Sequence, residues 1–95
     1  MNMTNINIYK DREHMPVPKY KPGDIVYTTD MNSRMGPCVK ANLIRACNKP
    51  VWREHTGRWV VSYRYQDMIG GKPFGRMHSE YTLDETDVYP NQEEA

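Results

Sequence analysis

The side chains that could do chemistry in this chain are two cysteines and three histidines: His14, Cys38, Cys47, His55 and His78. Thiolates and imidazoles bind zinc, but the spacing of these residues matches no compact zinc pattern. The cysteines stand nine positions apart and the histidines are scattered. We therefore expect no metal site, and we interpret these residues as two small buried thiols and three surface imidazoles.

Nucleophilic catalysis by a cysteine beside a histidine needs a geometry that this sequence does not specify. The chain has no nucleophile elbow, no phosphate-cradling glycine loop and no pair of metal ligands on a helix. Gly70-Gly71 precedes a polar turn rather than a helix, so we interpret it as a hairpin turn. The sequence therefore predicts a protein that is not an enzyme and needs no cofactor.

Charge is distributed unevenly along the chain, although the formal net charge is only +1. Residues 34–76 contain nine Lys or Arg and two acidic residues, a sum of +7, whereas residues 77–95 contain six acidic residues and no Lys or Arg. Basic side chains attract phosphates, and aromatic residues interleaved with them can stack on bases. Nucleic acid is therefore one partner class to consider, and the acidic end is interpreted as a solvated surface.

Alternation in residues 58–66 indicates which aromatic residues are available to a partner. It predicts a strand with an aromatic set on one face and a polar set on the other: Trp59, Val61, Tyr63 and Tyr65 against Arg58, Val60, Ser62, Arg64 and Gln66. The simplest interpretation is that the aromatic set faces the core and that the polar set faces the solvent. The exposed aromatics are then Trp52 and Phe74, both on predicted loops.

Protein binding is the second partner class. Apolar residues on predicted loops include Trp52, Met68, Ile69 and Phe74, and exposed apolar residues that cluster mark contact sites. We predict that partner binding uses six residues: Trp52, Arg53, Arg64, Met68, Phe74 and Arg76. A protein partner is favoured, and nucleic acid is the alternative.

Short strands must position these residues. The turn at Lys21-Pro-Gly-Asp24 leads into a strand at 24–29, where the residue types favour a pleated, half-buried surface. A second strand at 38–47 changes the phase of its apolar period, which indicates a β-bulge or bend near Leu43–Ile44. Further strands are predicted at 58–66 and 76–82, then a single helical turn at 84–87 and a short last strand at 88–89.

The chain has 95 residues, which predicts one domain. We divide it into a partly ordered N-terminal arm (1–18), a barrel (19–90) and an acidic tail (91–95). The sequence shows no signal peptide and no apolar run of the roughly 20 residues that cross a membrane. We therefore expect a cytoplasmic protein without membrane contact and with Cys38 and Cys47 as free thiols, while a disulfide between neighbouring strands stays open. Ile6 and Ile8 could add a strand to a second copy, which would give a homodimer.

The order of these elements resembles an SH3-like barrel, the architecture shared by Tudor, KOW and bacterial SH3-like domains. The two ends, Lys19-Tyr-Lys-Pro-Gly-Asp-Ile-Val-Tyr27 and Leu83-Asp-Glu-Thr-Asp-Val-Tyr89 with Gln92-Glu-Glu94, are also similar to small phage and mobile-element proteins. The resemblance implies an all-β, five-stranded SH3-like barrel that acts as a non-enzymatic binding module. It also implies an accessory protein that contacts a host protein and inhibits a host or defence factor. The alternative is a nucleic-acid-binding SH3-like domain that uses the basic segment 34–76.

Overall fold

The computed structural model describes residues 9–30, 36, 38–76 and 81–94. Short strands account for most of the regular structure in these ranges, as the apolar alternation predicts. The strands are β1 (Ile25–Asp30), β2 (Cys38–Cys47), β3 (Val51–Arg53), β4 (Arg58–Val60), β5 (Ser62–Ile69), β6 (Lys72–Phe74) and β7 (Leu83–Asp84). A 3₁₀ turn (Glu85–Asp87) follows β7.

The strands form two antiparallel sheets, which confirms the all-β prediction. The main sheet has the order β1-β2-β5-β6, and β7 also pairs with β5. The second sheet is the β3–β4 hairpin. The ladders between the described strands do not close into a barrel.

Strand β2 has the predicted bounds and is irregular close to the predicted position. Its register with β5 shifts between Ile44 and Ala46, so that two residues of β2 stand opposite one residue of β5. Such a bulge bends a strand and increases its twist. Asn42 and Ile44 face the core before the bulge, and Arg45 is the extra residue that the bulge turns away from it.

The core lies on one face of the main sheet. Its buried apolar residues are Val26, Ile44, Val61, Tyr63 and Val88. The ring of Tyr63 packs edge-on against Tyr20 with centroids 5.7 Å apart. The predicted strand at 58–66 is interrupted at Val61 and continues as β5, which places Trp59 and Tyr65 in half-buried positions.

The end of the described chain returns to the first strand. Asp84 caps the 3₁₀ turn, because its carboxylate accepts a hydrogen bond from the Thr86 backbone N–H at 3.0 Å. Tyr89 then exchanges two backbone hydrogen bonds with Tyr27, both of 2.9 Å. The predicted turn at 84–87 is confirmed, and the predicted last strand is a single bridge. Most of the predicted strand at 76–82 lies outside the described residues, and β7 begins at Leu83.

Residues 9–20 lie against both sheets. The indole N–H of Trp59 donates to the carbonyl of Asp11 at 2.8 Å, and Arg12 forms a 2.7 Å ion pair with Glu54. Tyr9 and Tyr20 pack against the core. Ile6 and Ile8, which the sequence offers as an edge strand, are outside the described residues.

The two cysteines are free, as predicted, but the interpretation of both as buried is wrong. They occupy the two ends of β2, where both are exposed although Cys38 pairs with Asp30 and Cys47 with Tyr63. The Cys47 thiol donates to the carbonyl of Tyr20 at 3.1 Å. Partial burial and the nearby carboxylates of Asp24 and Glu85 raise the pKa of this thiol, which keeps it in the weakly nucleophilic protonated form.

Candidate partner-binding site

The β5–β6 hairpin turns through two residues, as predicted for Gly70-Gly71. Ile69 pairs with Lys72, and the two glycines between them have φ values of 61° and 77°. Positive φ at both central positions fits the right-handed twist of a hairpin and is easiest for glycine. The turn therefore determines the register of β6 against β5.

Apolar side chains occupy both faces of this hairpin. Ile69 is 62% exposed and Phe74 is 59% exposed. The register Ile69↔Lys72 and Asp67↔Phe74 puts these two side chains diagonally across one face. Met68 and Pro73 pair on the opposite face. The hairpin consequently exposes two large apolar side chains on one of its faces.

Strand β6 pairs only with β5 among the described strands, so one of its edges is open. An open edge can add a strand from another chain. Pro73, at the centre of β6, has no N–H to donate to such a strand. The hairpin is therefore suited to contacts through its side chains rather than to strand addition.

Gln66 organises the base of the hairpin. It was expected on a solvated face, but it is 9% exposed and both ends of its amide are bonded. Its Nε2 donates to the carbonyl of Gly75 at 2.6 Å, and its Oε1 accepts from Nε of Arg45 at 2.9 Å. Arg45 is the extra residue of the bulge in β2. The two hydrogen bonds explain why the polar side chain of Gln66 is buried.

Three arginines are associated with Gln66 either by a hydrogen bond or by their place along the backbone, and we call them the arginine cluster. Arg45 binds it directly, Arg64 stands two residues earlier on the same face of β5, and Arg76 follows Gly75. Arg45, Arg64 and Arg76 are all exposed. Among the residues that the structure describes, no carboxylate forms an ion pair with these three.

The structure distributes the six residues predicted for partner binding over two places. Arg64, Met68, Phe74 and Arg76 lie along residues 64–76, which form β5, the glycine turn, β6 and the residues after it. Trp52 and Arg53 lie in β3 of the second sheet. β3 pairs with β4 in the second sheet, whereas β5 and β6 belong to the main sheet.

Four of the six were expected on loops and are instead in strands. Met68 is in β5, Phe74 is in β6, and Trp52 and Arg53 are in β3. Trp52 is also half-buried rather than exposed, because it stands opposite Trp59 and packs edge-on against it with ring centroids 5.7 Å apart. A tryptophan covered in this way offers less surface to a partner than Phe74.

Glu85 is a buried residue that the sequence suggested would be solvated. One of its oxygens accepts from the Tyr63 hydroxyl and, at 2.7 Å, from the backbone N–H of Lys19. The other accepts from the Tyr9 hydroxyl. Two causes raise the pKa of Tyr63 above its ordinary value: burial, which is the larger, and the hydrogen bond to Glu85. Glu85 thus joins residues 9–19 to the core and plays a structural part.

A cleft of about 540 Å³ lies outside the hairpin, along the N-terminal segment. Its lining residues are Tyr9, Glu13, His14, Met15, Pro16, Val17 and Lys19. The His14 ring hydrogen-bonds to Asp11, which holds the pKa of the Asp11 carboxyl below its usual range. Both side chains of this pair are largely exposed to solvent. Catalytic acid–base pairs usually lie in buried clefts, where the surroundings set their protonation, so this pair lacks that environment.

Comparison of the chain with protein-family models, with curated proteins and with solved structures found no match. No helix in the described ranges is long and apolar enough to span a membrane.

Proposed function

We propose that this protein is a non-enzymatic binding module that contacts a protein partner through its β5–β6 hairpin. The observation that carries the proposal is the exposure of Ile69 and Phe74, at 62% and 59%, on one face of a two-residue-turn hairpin. Large apolar side chains held outward on a rigid element act as anchors when a partner provides a pocket. Arginines at the base of the hairpin add residues that are also enriched at interfaces.

An SH3-like barrel is the finer fold that we propose for this module. Two features support it: the bent β2, and the 3₁₀ turn after which Tyr89 returns to hydrogen-bond with Tyr27 of β1. A small barrel needs a bent strand and a last segment that returns to the first strand. In such a module the specificity lies in hairpins and loops, and the strands act as scaffold.

The partner that we propose is a protein of a host cell. By binding this partner in the cytoplasm, the present chain would inhibit a host or defence factor. Support for the host comes from the similarity of residues 19–27 and 83–94 to phage and mobile-element proteins. Support for a protein rather than a small molecule comes from the exposure of the site, because Ile69 and Phe74 are 62% and 59% exposed. Small ligands prefer concave sites.

Replacing Ile69 and Phe74 together by alanine is expected to weaken partner capture by at least about thirtyfold, as truncation of anchor residues does. Val51→Ala is the matched control, since Val51 is 48% exposed but lies in β3 of the other sheet. The tagged full chain would be incubated with host lysate, with and without nuclease, and captured proteins identified by mass spectrometry. Capture that resists nuclease, is lost in the double variant and persists in Val51→Ala is the expected result. Equal capture by all three chains would contradict the proposal.

Nucleic-acid binding through the basic segment 34–76 is the second candidate function, and the arginine cluster is the observation that favours it. Binding to phosphates releases counterions, so affinity falls steeply as salt rises. A contact anchored by Phe74 depends far less on salt. Fluorescence anisotropy with short single strands at low salt, using the parent chain, Trp52→Ala and Arg64→Ala, separates the two functions. No binding by the parent chain at low salt would eliminate this candidate.

A further inference from the structure

The segment 9–19 forms a loop whose two ends meet at Glu85. The hydroxyl of Tyr9 donates to one oxygen of the Glu85 carboxylate, and the backbone N–H of Lys19 donates to the other at 2.7 Å. The loop is also attached to the second sheet, because one of its backbone carbonyls accepts from the Trp59 indole at 2.8 Å. Compact loops with joined ends are often functional. This loop is held in one shape before any ligand binds, and that lowers the entropic cost of binding.

This loop alone lines the cleft of about 540 Å³, which we call the N-terminal cleft. Small-molecule sites are concave and occupy roughly 300–1,000 Å³, so the cleft has a suitable size. Its walls include the ring of Tyr9, whose hydroxyl is bonded to Glu85, and the side chains of Met15, Pro16 and Val17. Met15 is 51% exposed and Val17 is 83% exposed, so both are accessible to a ligand.

Two opposite charges line the N-terminal cleft beside these apolar walls. Glu13 and Lys19 are both exposed, and neither side chain forms an ion pair with any residue in the described ranges, including each other. By contrast, Arg12 of the same loop does not line the cleft and pairs with Glu54 at 2.7 Å. The cleft therefore offers one site for a cationic group and one for an anionic group.

We infer that the N-terminal cleft binds a free apolar α-amino acid in its zwitterionic form. The ammonium group of this ligand pairs with Glu13, its carboxylate pairs with Lys19, and its side chain contacts Met15 and Val17. A ligand with a single charge leaves one of the two protein charges uncompensated. A peptide segment within a chain fits less well, because its backbone groups are uncharged. The site is separate from the β5–β6 hairpin, none of whose residues lines the cleft.

Titration of the full chain with L-phenylalanine, followed by the backbone amide NMR signals, tests the inference. We expect shifts at Glu13, Met15, Val17 and Lys19, which line the cleft, and none in β6. Hydrocinnamate lacks the ammonium group of phenylalanine, and phenethylamine lacks its carboxylate. Each should bind at least about threefold more weakly than L-phenylalanine, because it forms one exposed ion pair fewer.

Two variants that remove one charge each identify which side chain contacts which group of the ligand. Glu13→Gln should weaken binding of L-phenylalanine about threefold without weakening binding of hydrocinnamate. Lys19→Gln should weaken binding of L-phenylalanine to the same extent without weakening binding of phenethylamine. Lys10→Gln is the matched control, since Lys10 is an exposed lysine of the same loop that does not line the cleft. Lys19→Gln retains the backbone bond to Glu85, so all three variants should unfold at the parental urea midpoint.

Absence of shifts with L-phenylalanine up to its solubility limit would overturn the inference. Equal affinity for L-phenylalanine, hydrocinnamate and phenethylamine would show that the two charges play no part in binding. Tighter binding of N-acetylphenylalanine amide, which has neither charge, would assign the cleft to a peptide segment instead. The Ile69 and Phe74 double variant should bind L-phenylalanine like the parent chain, because these residues lie outside the cleft. Loss of binding in that variant would contradict the separation of the two sites.

Discussion

Replacing Glu85 by alanine is expected to lower the free energy of unfolding by about 3 kcal/mol or more, because several buried donors lose their acceptor at once. The carboxylate accepts from the hydroxyls of Tyr9 and Tyr63 and from the backbone N–H of Lys19. Glu85 is only 6% exposed, so water cannot easily replace all three bonds. Residues 9–19 should lose protection together with the core around Tyr63. Urea unfolding followed by tryptophan fluorescence, with hydrogen exchange on the same variant, measures both effects.

Asp87→Ala is the matched control for Glu85→Ala. Asp87 is an acidic residue of the same 3₁₀ turn, but it is exposed. Its replacement should change stability by no more than about 0.5 kcal/mol, as for most surface positions. If the two variants were equally stable, the three hydrogen bonds to Glu85 would not contribute to the fold as argued. Glu85→Gln should be intermediate, since one amide oxygen remains to accept.

Stability is expected to fall as pH rises above about 10, the ordinary pKa of tyrosine. Burial and the hydrogen bond to Glu85 raise the pKa of Tyr63 in the folded chain. Above pH 10 the unfolded chain therefore releases a proton that the folded chain keeps, so the free energy of unfolding decreases with rising pH. A single such group gives a slope of about 1.4 kcal/mol per pH unit until the folded pKa is reached. Below pH 10 this contribution is complete and constant.

Tyr63→Phe tests whether this residue is responsible for part of the slope. The variant is less stable near neutral pH, since it loses the hydroxyl that Glu85 accepts from, but its stability should decrease less steeply between pH 10 and 11. Tyr27→Phe is the control, because Tyr27 lies half-buried on β1 and its hydroxyl is not among the donors to Glu85. Urea unfolding at closely spaced pH values provides the measurement. Identical slopes in Tyr63→Phe and the parent chain would show that Tyr63 ionises equally in both states.

Local chemistry was sufficient to predict several elements. The bounds of β2 and its bulge followed from a phase change in apolar alternation, because a side-chain period of two shows a one-residue insertion directly. The turn at Glu85–Asp87 followed from the acidic residues near its N-terminus, and the structure adds that the Asp84 side chain caps it. The hairpin turn followed from Gly70-Gly71, where both residues adopt positive φ.

Long-range hydrogen bonds were beyond prediction from the sequence. An acidic residue in an acidic stretch is ordinarily solvated, and nothing near Glu85 in the chain indicates the hydroxyls of Tyr9 and Tyr63 that make its burial favourable. Gln66 is similar, since its partners come from β2 and from Gly75. The register of β2 against β5 places Arg45 beside Gln66, and that register is a property of the whole sheet.

Very short strands were missed for a different reason. The β3–β4 hairpin has three residues in each strand, too few to show alternation, so Trp52 was interpreted as a loop residue. Its edge-on packing against Trp59 depends on their direct pairing across the hairpin. Of the candidate partner-binding site, the residues of the hairpin were identified from their types, whereas their grouping at one end of the sheet required the structure.

The hydrogen bonds that join residues 9–19 to Glu85 have a consequence for how the chain folds. The bond between Tyr9 and Glu85 joins residues 76 positions apart, and the bond between Lys19 and Glu85 joins residues 66 apart. Contacts of such large sequence separation form late and slow the search for the native topology. During synthesis, residues 9–19 can dock only after Glu85 has emerged from the ribosome. Until then the core lacks the cover that Tyr9 provides in the folded chain.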